Sequence, residues 1–331
     1  MLPGLWRLRL PLPWPGVPHG NAWAIAAGPG IVLVDTGYHE PGSLAQLERA
    51  MSQVNLRLEH VRLLVCTHAH SDHWGQAAPI VERAGCELWM HPNHEHATRN
   101  AGDPEATLAR RLEIGRQSGV PATVLERYAE RLPKNMPSGI AKVIEPDRAL
   151  VDGVEIETDL GKWRTYETPG HAPSHVCLFQ PERRILISGD HVLGRISLFY
   201  DYGWTPDPAG EFLESLDVVG RLDARLGLSG HGRPFVDVGG HIDTSRRLVR
   251  ERVDAVRAAL GGGPRTALEI APSVYEDPLT ELNANWQLTE TLSYLTHLER
   301  LGEVSRERDG DSARWQLVAG DRAVAGSQAK P

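Results

Sequence analysis

The stretch that decides the fold of this chain is His68-Ala69-His70-Ser71-Asp72-His73, which follows the run from His60 to Thr67. That run is short and rich in apolar and β-branched residues, so it predicts a buried strand. A turn at the end of such a strand gathers the side chains that follow it at the edge of the sheet. Imidazole and carboxylate groups together suit zinc and the neighbouring first-row metals. We therefore predict a metal site here rather than a set of surface histidines.

Three later segments share a signature in which a strand-like run ends in Gly and is followed by His or Asp. These residues are His171, Asp190 and His231. The Gly lets the chain turn sharply, so that the next side chain points off the end of the strand. A zinc ion takes about four ligands, and the first stretch is too tightly spaced to saturate two ions alone. Asp35 follows another apolar run, and we expect it to hydrogen-bond a ligand histidine and fix its tautomer.

These residues carry a family resemblance. In chain order, Asp35, the run from His68 to His73, His171, Asp190 and His231 resemble the five motifs of the metallo-β-lactamase superfamily of hydrolases, over roughly residues 1–235. The resemblance implies the α/β (α+β) fold class, as an αββα sandwich with a dinuclear site in the groove between its two sheets. It also implies two divalent ions, with zinc expected first and manganese or iron as alternatives. A hydroxide held between the ions would be the nucleophile.

Matching by motif position implies a role for each candidate residue. Asp72 and Asp190 are the expected catalytic residues, and Asp190 would bridge both ions. The first ion would be held by His68, His70 and His171, and the second by Asp72, His73 and His231. True β-lactamases usually differ at the Asp72 position and often carry Cys at the Asp190 position. Antibiotic hydrolysis is therefore not expected.

The composition is that of an ordinary globular protein. The 331 residues are 41% hydrophobic and 24% charged, which suits one sizeable core and leaves room for two domains. A net charge of −8 gives no electrostatic reason to expect binding to nucleic acid or to an anionic membrane. The three cysteines lack C-x-x-C spacing, which favours buried free thiols. Because no secretory signal and no apolar run of about 20 residues is evident, we expect a cytoplasmic protein without membrane contact.

Residues 1–240 are expected to form the hydrolase domain, interrupted at about residues 92–135 by a segment with helical periodicity and no strand pattern. We expect this helical insertion beside the mouth of the site, as a lid or a substrate wall. Covering a sheet edge or forming a dimer interface is an equal alternative. His91, His94 and His96 lie around its start. They lack the Gly-bounded strand end, so we do not expect them to bind metal.

Residues 241–318 change to helices followed by a hairpin, a pattern similar to a winged-helix domain. A hydrolase with such a domain resembles the β-lactamase-like protein 2 group. Residues 241–331 carry twelve basic and fourteen acidic side chains, and the expected recognition helix, Asn285–Glu299, has no Lys or Arg. Since nucleic-acid binding needs several phosphate contacts, we expect a structural role or a homodimer interface instead. Residues 319–331 are predicted to be disordered.

The expected reaction is hydrolysis of a thioester, ester or lactone bond in a small acyl substrate. Two divalent ions make hydroxide available and polarise a carbonyl. The stretch from Thr168 to His175 is similar to the T-P-G-H-x-x-x-H stretch of glyoxalase II and of quorum-quenching lactonases. We expect His175 to be structural, whereas Tyr200 and Tyr202 are candidates for polarising the carbonyl or for packing. The chain departs from glyoxalase II after His231, which leaves the identity of the thiol undefined.

Two other functions stay open at this point. A metal-dependent endoribonuclease or phosphodiesterase is the first, because the winged-helix subgroup includes RNA-cleaving members, and it would need a basic path across the groove. An iron-dependent enzyme similar to persulfide dioxygenases is the second, since such enzymes keep the same ligand motif.

Overall fold

A computed structural model of the chain describes residues 2–14, 16–99, 101–131, 138–280 and 283–318. The predicted disorder of residues 319–331 lies outside these residues, as does the last part of the helical insertion.

The N-terminal half forms a six-stranded sheet whose strand order follows the chain. Its strands are β1 (Leu5–Trp14), β2 (Val17–Ala27), β3 (Gly30–Val34), β4 (Val61–Val65), β5 (Glu87–Met90) and β6 (Arg148–Ala149). The helices between them are α1 (Ser43–Ser52), α2 (Ser71–Trp74), α3 (Ala77–Ala84), α4 (Glu95–Thr98), α5 (Pro104–Gln117) and α6 (Ala122–Arg131). The first three strands pair antiparallel, and β3 to β6 pair parallel. Helices α4 to α6 form the helical insertion.

The second half forms another six-stranded sheet and one long crossover helix. Its strands are β7 (Glu155–Thr158), β8 (Gly161–Glu167), β9 (Val176–Gln180), β10 (Ile185–Gly189), β11 (Leu226–Ser229) and β12 (Phe235–Val236). The strand order is β12-β11-β10-β9-β8-β7, and β10 and β11 are parallel. The crossover helix, α7 (Pro208–Gly220), connects these two parallel strands.

The two sheets pack face to face through one apolar cluster. Trp23 and Val34 of the first sheet meet Trp163, Leu178 and Ile187 of the second, and all of these side chains are buried. Helices cover both outer faces: α1 and α3 lie on the first sheet, and α7 and the C-terminal helices lie on the second. Removing this much apolar surface from water is the main stabilising contribution to such a fold. The predicted four-layer arrangement of helix, sheet, sheet and helix is confirmed.

The described residues of the C-terminal part form three α-helices and a two-stranded sheet. They are α8 (Val238–Ala259), α9 (Ala267–Ile270), α10 (Ala284–Arg300), β13 (Val304–Asp309) and β14 (Ser312–Leu317). These are the elements that were predicted, but their assignment to a winged-helix domain stays a prediction. The domain boundary predicted after residue 240 falls within α8, whose Asp237 cap accepts a hydrogen bond from Gly240 N. A single helix therefore continues from one predicted domain into the next.

The surroundings of α7 and α8 set where each of these helices ends or begins. Helix α7 ends at Gly220, because Asp223 turns the chain with a left-handed φ of 52° and Leu226 starts β11. Helix α8 begins at Val238, since the Asp237 side chain satisfies a free N–H of its first turn.

Helix α10 lies inside the molecule. Ten of its seventeen residues are buried, so only a narrow face reaches solvent. It contacts α5, α7 and α8, and Trp286 Nε1 donates a hydrogen bond to the Leu198 carbonyl at 2.6 Å. Glu290 is fully buried within it and pairs with Arg252 of α8. Its apolar side chains pack in one cluster with residues of α7 and α8, namely through Leu288, Leu292, Leu295 and Leu298.

Candidate metal centre

The ends of two parallel strand pairs position the candidate site. β3 and β4 run parallel and end before Asp35 and His68, and β10 and β11 run parallel and end before Asp190 and His231. Parallel neighbours end at the same edge of a sheet, so each pair delivers its following residues to one place. A hydrogen bond joins the two sheets beside this place: Asn21 N of β2 donates to the carbonyl oxygen of Gly230, directly after β11, at 2.7 Å.

Three histidines form the first half of the centre. His68 Nε2 lies 3.0 Å from His70 Nδ1, which in turn lies 3.0 Å from His171 Nε2. The outer ring nitrogens have other partners: His68 Nδ1 is 3.1 Å from Thr67 Oγ1, and His171 Nδ1 is 3.1 Å from the Phe199 carbonyl oxygen. Those contacts fix the rings of His68 and His171. Their Nε2 atoms and the Nδ1 atom of His70 can therefore present lone pairs to one ion.

The second half contains Asp72, His73 and His231. Asp72 Oδ2 lies 3.5 Å from His73 Nε2 and 3.2 Å from His231 Nε2. Behind the site, His73 Nδ1 lies 2.9 Å from Asp35 Oδ2, and His231 Nδ1 lies 3.2 Å from the His19 carbonyl oxygen. In this second set too, the two Nε2 atoms and Asp72 Oδ2 lie close together, and the two Nδ1 atoms have hydrogen-bond partners on the far side of each ring.

Asp190 lies between the two halves. Its Oδ2 is 3.0 Å from His231 Nε2 and 3.9 Å from His171 Nε2, and its Oδ1 is 3.5 Å from His73 Nε2. The close packing explains the glycine before His231, since a Cβ at Gly230 would lie 2.2 Å from Asp190 Oδ1. Any other residue there would displace the carboxylate. The structure thus brings together all seven predicted ligands.

The chemistry of these residues fits divalent cations. His73 Nε2 and Asp190 Oδ1 are buried and have no hydrogen-bond partner among the described residues. Buried polar atoms rarely stay unsatisfied in folded proteins, and both atoms face the centre. A set of imidazole nitrogens and carboxylate oxygens is also the donor set that zinc and other first-row metals prefer.

The pKa values divide the ligands into neutral and charged groups. Burial lowers the pKa of His68 well below its usual value and that of His171 to about 4, so both rings are neutral at pH 7. Burial also acts to lower the pKa of His231, but Asp190 and Asp72 outweigh it and raise that pKa to about 10. His231 is therefore protonated at pH 7 when no metal ion is bound. Since ligands must be deprotonated, a metal ion would displace it.

Asp35 has the role expected of it. Its backbone is in the left-handed region, with a φ of 65°, which is costly for a residue other than Gly. Its Oδ1 accepts a hydrogen bond from Thr67 N at 2.8 Å, and its other oxygen holds His73. The carboxylate therefore ties the start of the metal-binding stretch to one of its ligands.

His175 lies behind the centre, as predicted. Its Nε2 accepts a hydrogen bond from Asp190 N at 3.1 Å, and its Nδ1 lies 2.8 Å from Thr168 Oγ1. A Cβ at Gly189 would lie 2.5 Å from the same ring nitrogen. The ring therefore fixes the backbone that carries Asp190 and does not face the metal position.

Two residues at the site were not predicted from the sequence, Asp201 and His96. Asp201 Oδ2 lies 2.8 Å from His70 Nε2 and 2.6 Å from His96 Nδ1. His96 Nε2 lies 2.7 Å from Ser174 Oγ, which accepts a hydrogen bond from Ala69 N at 3.0 Å. When His70 binds metal through Nδ1, its Nε2–H donates to Asp201, so the carboxylate orients this ligand. The network joins the helical insertion to the metal-binding stretch.

Tyr200 and Tyr202 pack into the helical core, so of the two roles considered for them the structure supports packing and not carbonyl polarisation. This segment belongs to no helix or strand, and its successive side chains face different sides. Phe199 and Asp201 face the histidines, whereas Tyr200 is fully buried against Phe212 and Tyr294. Tyr202 packs with the same helical core.

The other histidines of the insertion stay outside the centre. His91 Nε2 is 2.7 Å from Glu167 Oε1, and His94 Nε2 is 3.6 Å from Glu145 Oε2. The three cysteines are free and buried, as the sequence predicted. Within the described part of the chain, no helix combines the length and the apolar character needed to cross a membrane.

Comparison with known proteins agrees with this geometry. The chain is 24% identical over 312 residues to a probable metallo-hydrolase, YqjP, of Bacillus subtilis, in an alignment that covers 89% of this chain and 92% of that protein. It is 24% identical to an atrochrysone carboxyl ACP thioesterase of Aspergillus chevalieri, over 90% of this chain and 81% of that one. It is 23% identical to a beta-lactamase-like protein 2 homolog of Caenorhabditis elegans, over 78% and 71% of the two chains. The resemblance to the β-lactamase-like protein 2 group is thereby confirmed.

A solved structure and a family profile complete the comparison. The crystal structure of a metallo-beta-lactamase family protein from Thermus thermophilus superposes with a TM-score of 0.79 and 28% identity, over 96% of this chain and 99% of that one. The sequence profile of the metallo-beta-lactamase superfamily matches residues 15–256, most of the chain. With the fold, the ordered motifs and the clustered ligands in agreement, the chain belongs to the metallo-β-lactamase superfamily of hydrolases.

Proposed function

We propose that this chain is a dinuclear metal-dependent hydrolase that cleaves a thioester, ester or lactone bond of a small acyl substrate. The observation that carries the proposal is the pair of complete ligand sets with Asp190 between them. When bound, two divalent ions lower the pKa of a water molecule to near neutrality and polarise an acyl carbonyl. Zinc is the expected metal, with manganese or iron as alternatives.

The residues of the chain have separate tasks in this proposal. His68, His70 and His171 would hold one ion, and Asp72, His73 and His231 would hold the other. Asp190 lies between the two sets and would add its carboxylate to them, and Asp35 and Asp201 keep His73 and His70 in the orientation that presents a lone pair. Such preorganised groups do not need to reorganise during the reaction, which is their main contribution to rate.

Two observations favour an acyl substrate over RNA. A relative that aligns over most of the chain is named as a thioesterase. The helix that would enter a nucleic-acid groove in a winged-helix domain is α10, which is largely buried and has no Lys or Arg between Asn285 and Glu299. A phosphate-tracking helix would expose several cations.

The test is an activity panel on protein loaded with zinc, manganese or iron. Its substrates are acyl thioesters, esters, lactones, a phosphodiester and single-stranded RNA, and oxygen uptake with a persulfide tests the iron-dependent alternative. We expect acyl hydrolysis that falls at least ~100-fold in Asp190→Ala, while the matched control Asp217→Asn, an exposed aspartate on α7, keeps wild-type activity. RNA cleavage or oxygen uptake without acyl hydrolysis would refute the proposal.

A further inference from the structure

A cavity of about 240 Å³ lies beside the metal centre, between the metal-binding stretch and the helical insertion. The metal ligand His70 lines it, together with Ser71 at the start of α2 and His96 of α4. One face of α5 forms the opposite wall through Thr107, Arg110 and Arg111. Because His70 belongs both to this wall and to the centre, a group in the cavity would be part of a molecule that reaches the metal position.

The formal charges on the cavity wall are positive. Arg110 and Arg111 line it, and none of the described residues that line it is Asp or Glu. Both arginines are half-buried on α5. An acidic substrate group entering this cavity would therefore meet two cations and no lining carboxylate.

Two contacts hold Arg110 at the cavity wall. Its Nη2 donates a hydrogen bond to the Tyr202 carbonyl at 2.6 Å, and its guanidinium carbon lies 4.7 Å from the centre of the Trp204 ring. Among the described residues, no carboxylate oxygen lies within ion-pair distance of it. These contacts fix the guanidinium at the wall instead of leaving it on a mobile surface side chain.

A half-buried guanidinium without a counter-ion is costly for the protein, since removing a charge from water has to be offset by a partner. Burial lowers the pKa of Arg110, which reflects that cost. Asp201 acts on it from a distance, but its carboxylate is engaged by His70 and His96. Arginine is also the side chain best suited to carboxylate and phosphate groups, because its planar donors match their oxygens.

We infer that this cavity is a subsite for an anionic group of the substrate, a carboxylate or a phosphate, with Arg110 as its fixed cation. The inference rests on the proposed acyl hydrolase function and narrows it to substrates that carry an acidic group away from the scissile bond. The anion can lie on either part of the substrate, as a carboxylate on the acyl chain or as a phosphate on the leaving thiol.

Two matched pairs of substrates distinguish an anion on the acyl chain from an anion on the leaving thiol. Succinyl and butyryl thioesters of N-acetylcysteamine differ in a carboxylate on the acyl chain. Butyryl thioesters of pantetheine 4′-phosphate and of pantetheine differ in a phosphate on the leaving thiol. We expect the wild-type metal-loaded protein to prefer the charged member of one pair by at least about tenfold in kcat/KM, chiefly through KM, since the anion contacts the protein away from the reacting bond.

Three variants assign the preference to the arginine. Arg110→Gln keeps a donor for the Tyr202 carbonyl but removes the charge, and it should reduce the preference to about one, chiefly by raising KM for the charged substrate. Arg110→Lys keeps the charge and should retain most of the preference. Arg116→Gln is the control, because Arg116 lies on the same helix outside the cavity wall and pairs with Glu113. It should leave the preference unchanged.

Binding without turnover supplies an independent measurement. Thioether analogues of the same pairs, in which a methylene replaces the thioester carbonyl, cannot be hydrolysed, and calorimetry on the metal-loaded protein gives their affinities. We expect tighter binding of the charged analogue to wild type and to Arg110→Lys, and equal binding of both analogues to Arg110→Gln. Equal turnover and equal binding within both pairs for the wild type would overturn the subsite but leave the proposed function intact. A charge preference that survives in Arg110→Gln would also overturn it. Absence of any acyl hydrolysis would instead contradict the proposed function.

Discussion

Asp201→Asn should weaken the binding of one metal ion without unfolding the protein. The carboxylate of Asp201 accepts the His70 Nε2–H at 2.8 Å and contacts His96 at 2.6 Å through the same oxygen. An asparagine keeps the shape but loses the charge, and its amide presents only one acceptor. Hydrogen bonds to charged groups contribute about 1.5–3 kcal/mol, and about 1.4 kcal/mol corresponds to a factor of ten in affinity. We therefore expect the metal held by His70 to bind about 10–100-fold more weakly, as is usual when the partner of a ligand histidine is changed.

The assay is a competition between the protein and a fluorescent zinc chelator, with circular dichroism to verify the fold. One of the two zinc-binding steps should weaken and the other should stay within about twofold, because His73 and His231 have different partners. His96→Ala should produce a smaller loss at the same step, since it removes a neighbour of Asp201 and not the acceptor itself. Asp217→Asn, an exposed aspartate paired with Arg246, is the matched control. Unchanged zinc affinity in folded Asp201→Asn would refute the assignment of Asp201 as the residue that orients His70.

Three further predictions follow from the same geometry. Zinc binding should release protons, because nearby carboxylates outweigh the effect of burial and raise the pKa of His231 to about 10 and also that of His73. The affinity for zinc should therefore rise by roughly one to two log units per pH unit between pH 6 and 8, and calorimetry in two buffers should count the released protons. Glu290→Ala should lower the free energy of unfolding by about 3–5 kcal/mol, since it leaves the Arg252 charge without its buried partner, whereas a denaturant midpoint equal to wild type would show the pair to be dispensable. Gly230→Ala should abolish binding of at least one ion by mass spectrometry while the fold persists, because its Cβ has no room beside the Asp190 carboxylate.

The sequence predicted the metal-binding stretch and the other ligands because each follows a strand at a place where the chain must turn. His171, Asp190 and His231 all come directly after Gly, and at Gly230 the structure shows that a larger residue would collide with Asp190. A local pattern was sufficient there because the geometry of the strand end is itself local. The αββα order followed from the same alternation of strands and helices.

Asp201 and His96 could not be predicted in the same way. Asp201 lies in an irregular segment between β10 and α7, where it follows neither a Gly nor a strand end. Its neighbours Tyr200 and Tyr202 were the more conspicuous candidates, but both pack into the helical core. His96 reaches Asp201 only because the insertion folds back over the centre, and a long-range contact of this kind leaves no local sequence pattern. The ends of α7 and α8 were likewise set by tertiary context, with β11 beginning early and Asp237 capping α8.

The most direct test of the account is the number of metal ions bound per chain. Protein purified without chelators and then dialysed against zinc should contain close to two equivalents by inductively coupled plasma mass spectrometry, because the centre has two ligand sets and neither can serve both ions. The Asp190→Ala variant should lose at least one of them, since that residue lies between the two sets. A ratio near one in the wild-type protein, unchanged when zinc, manganese or iron is added, would contradict the dinuclear centre on which the proposed function rests.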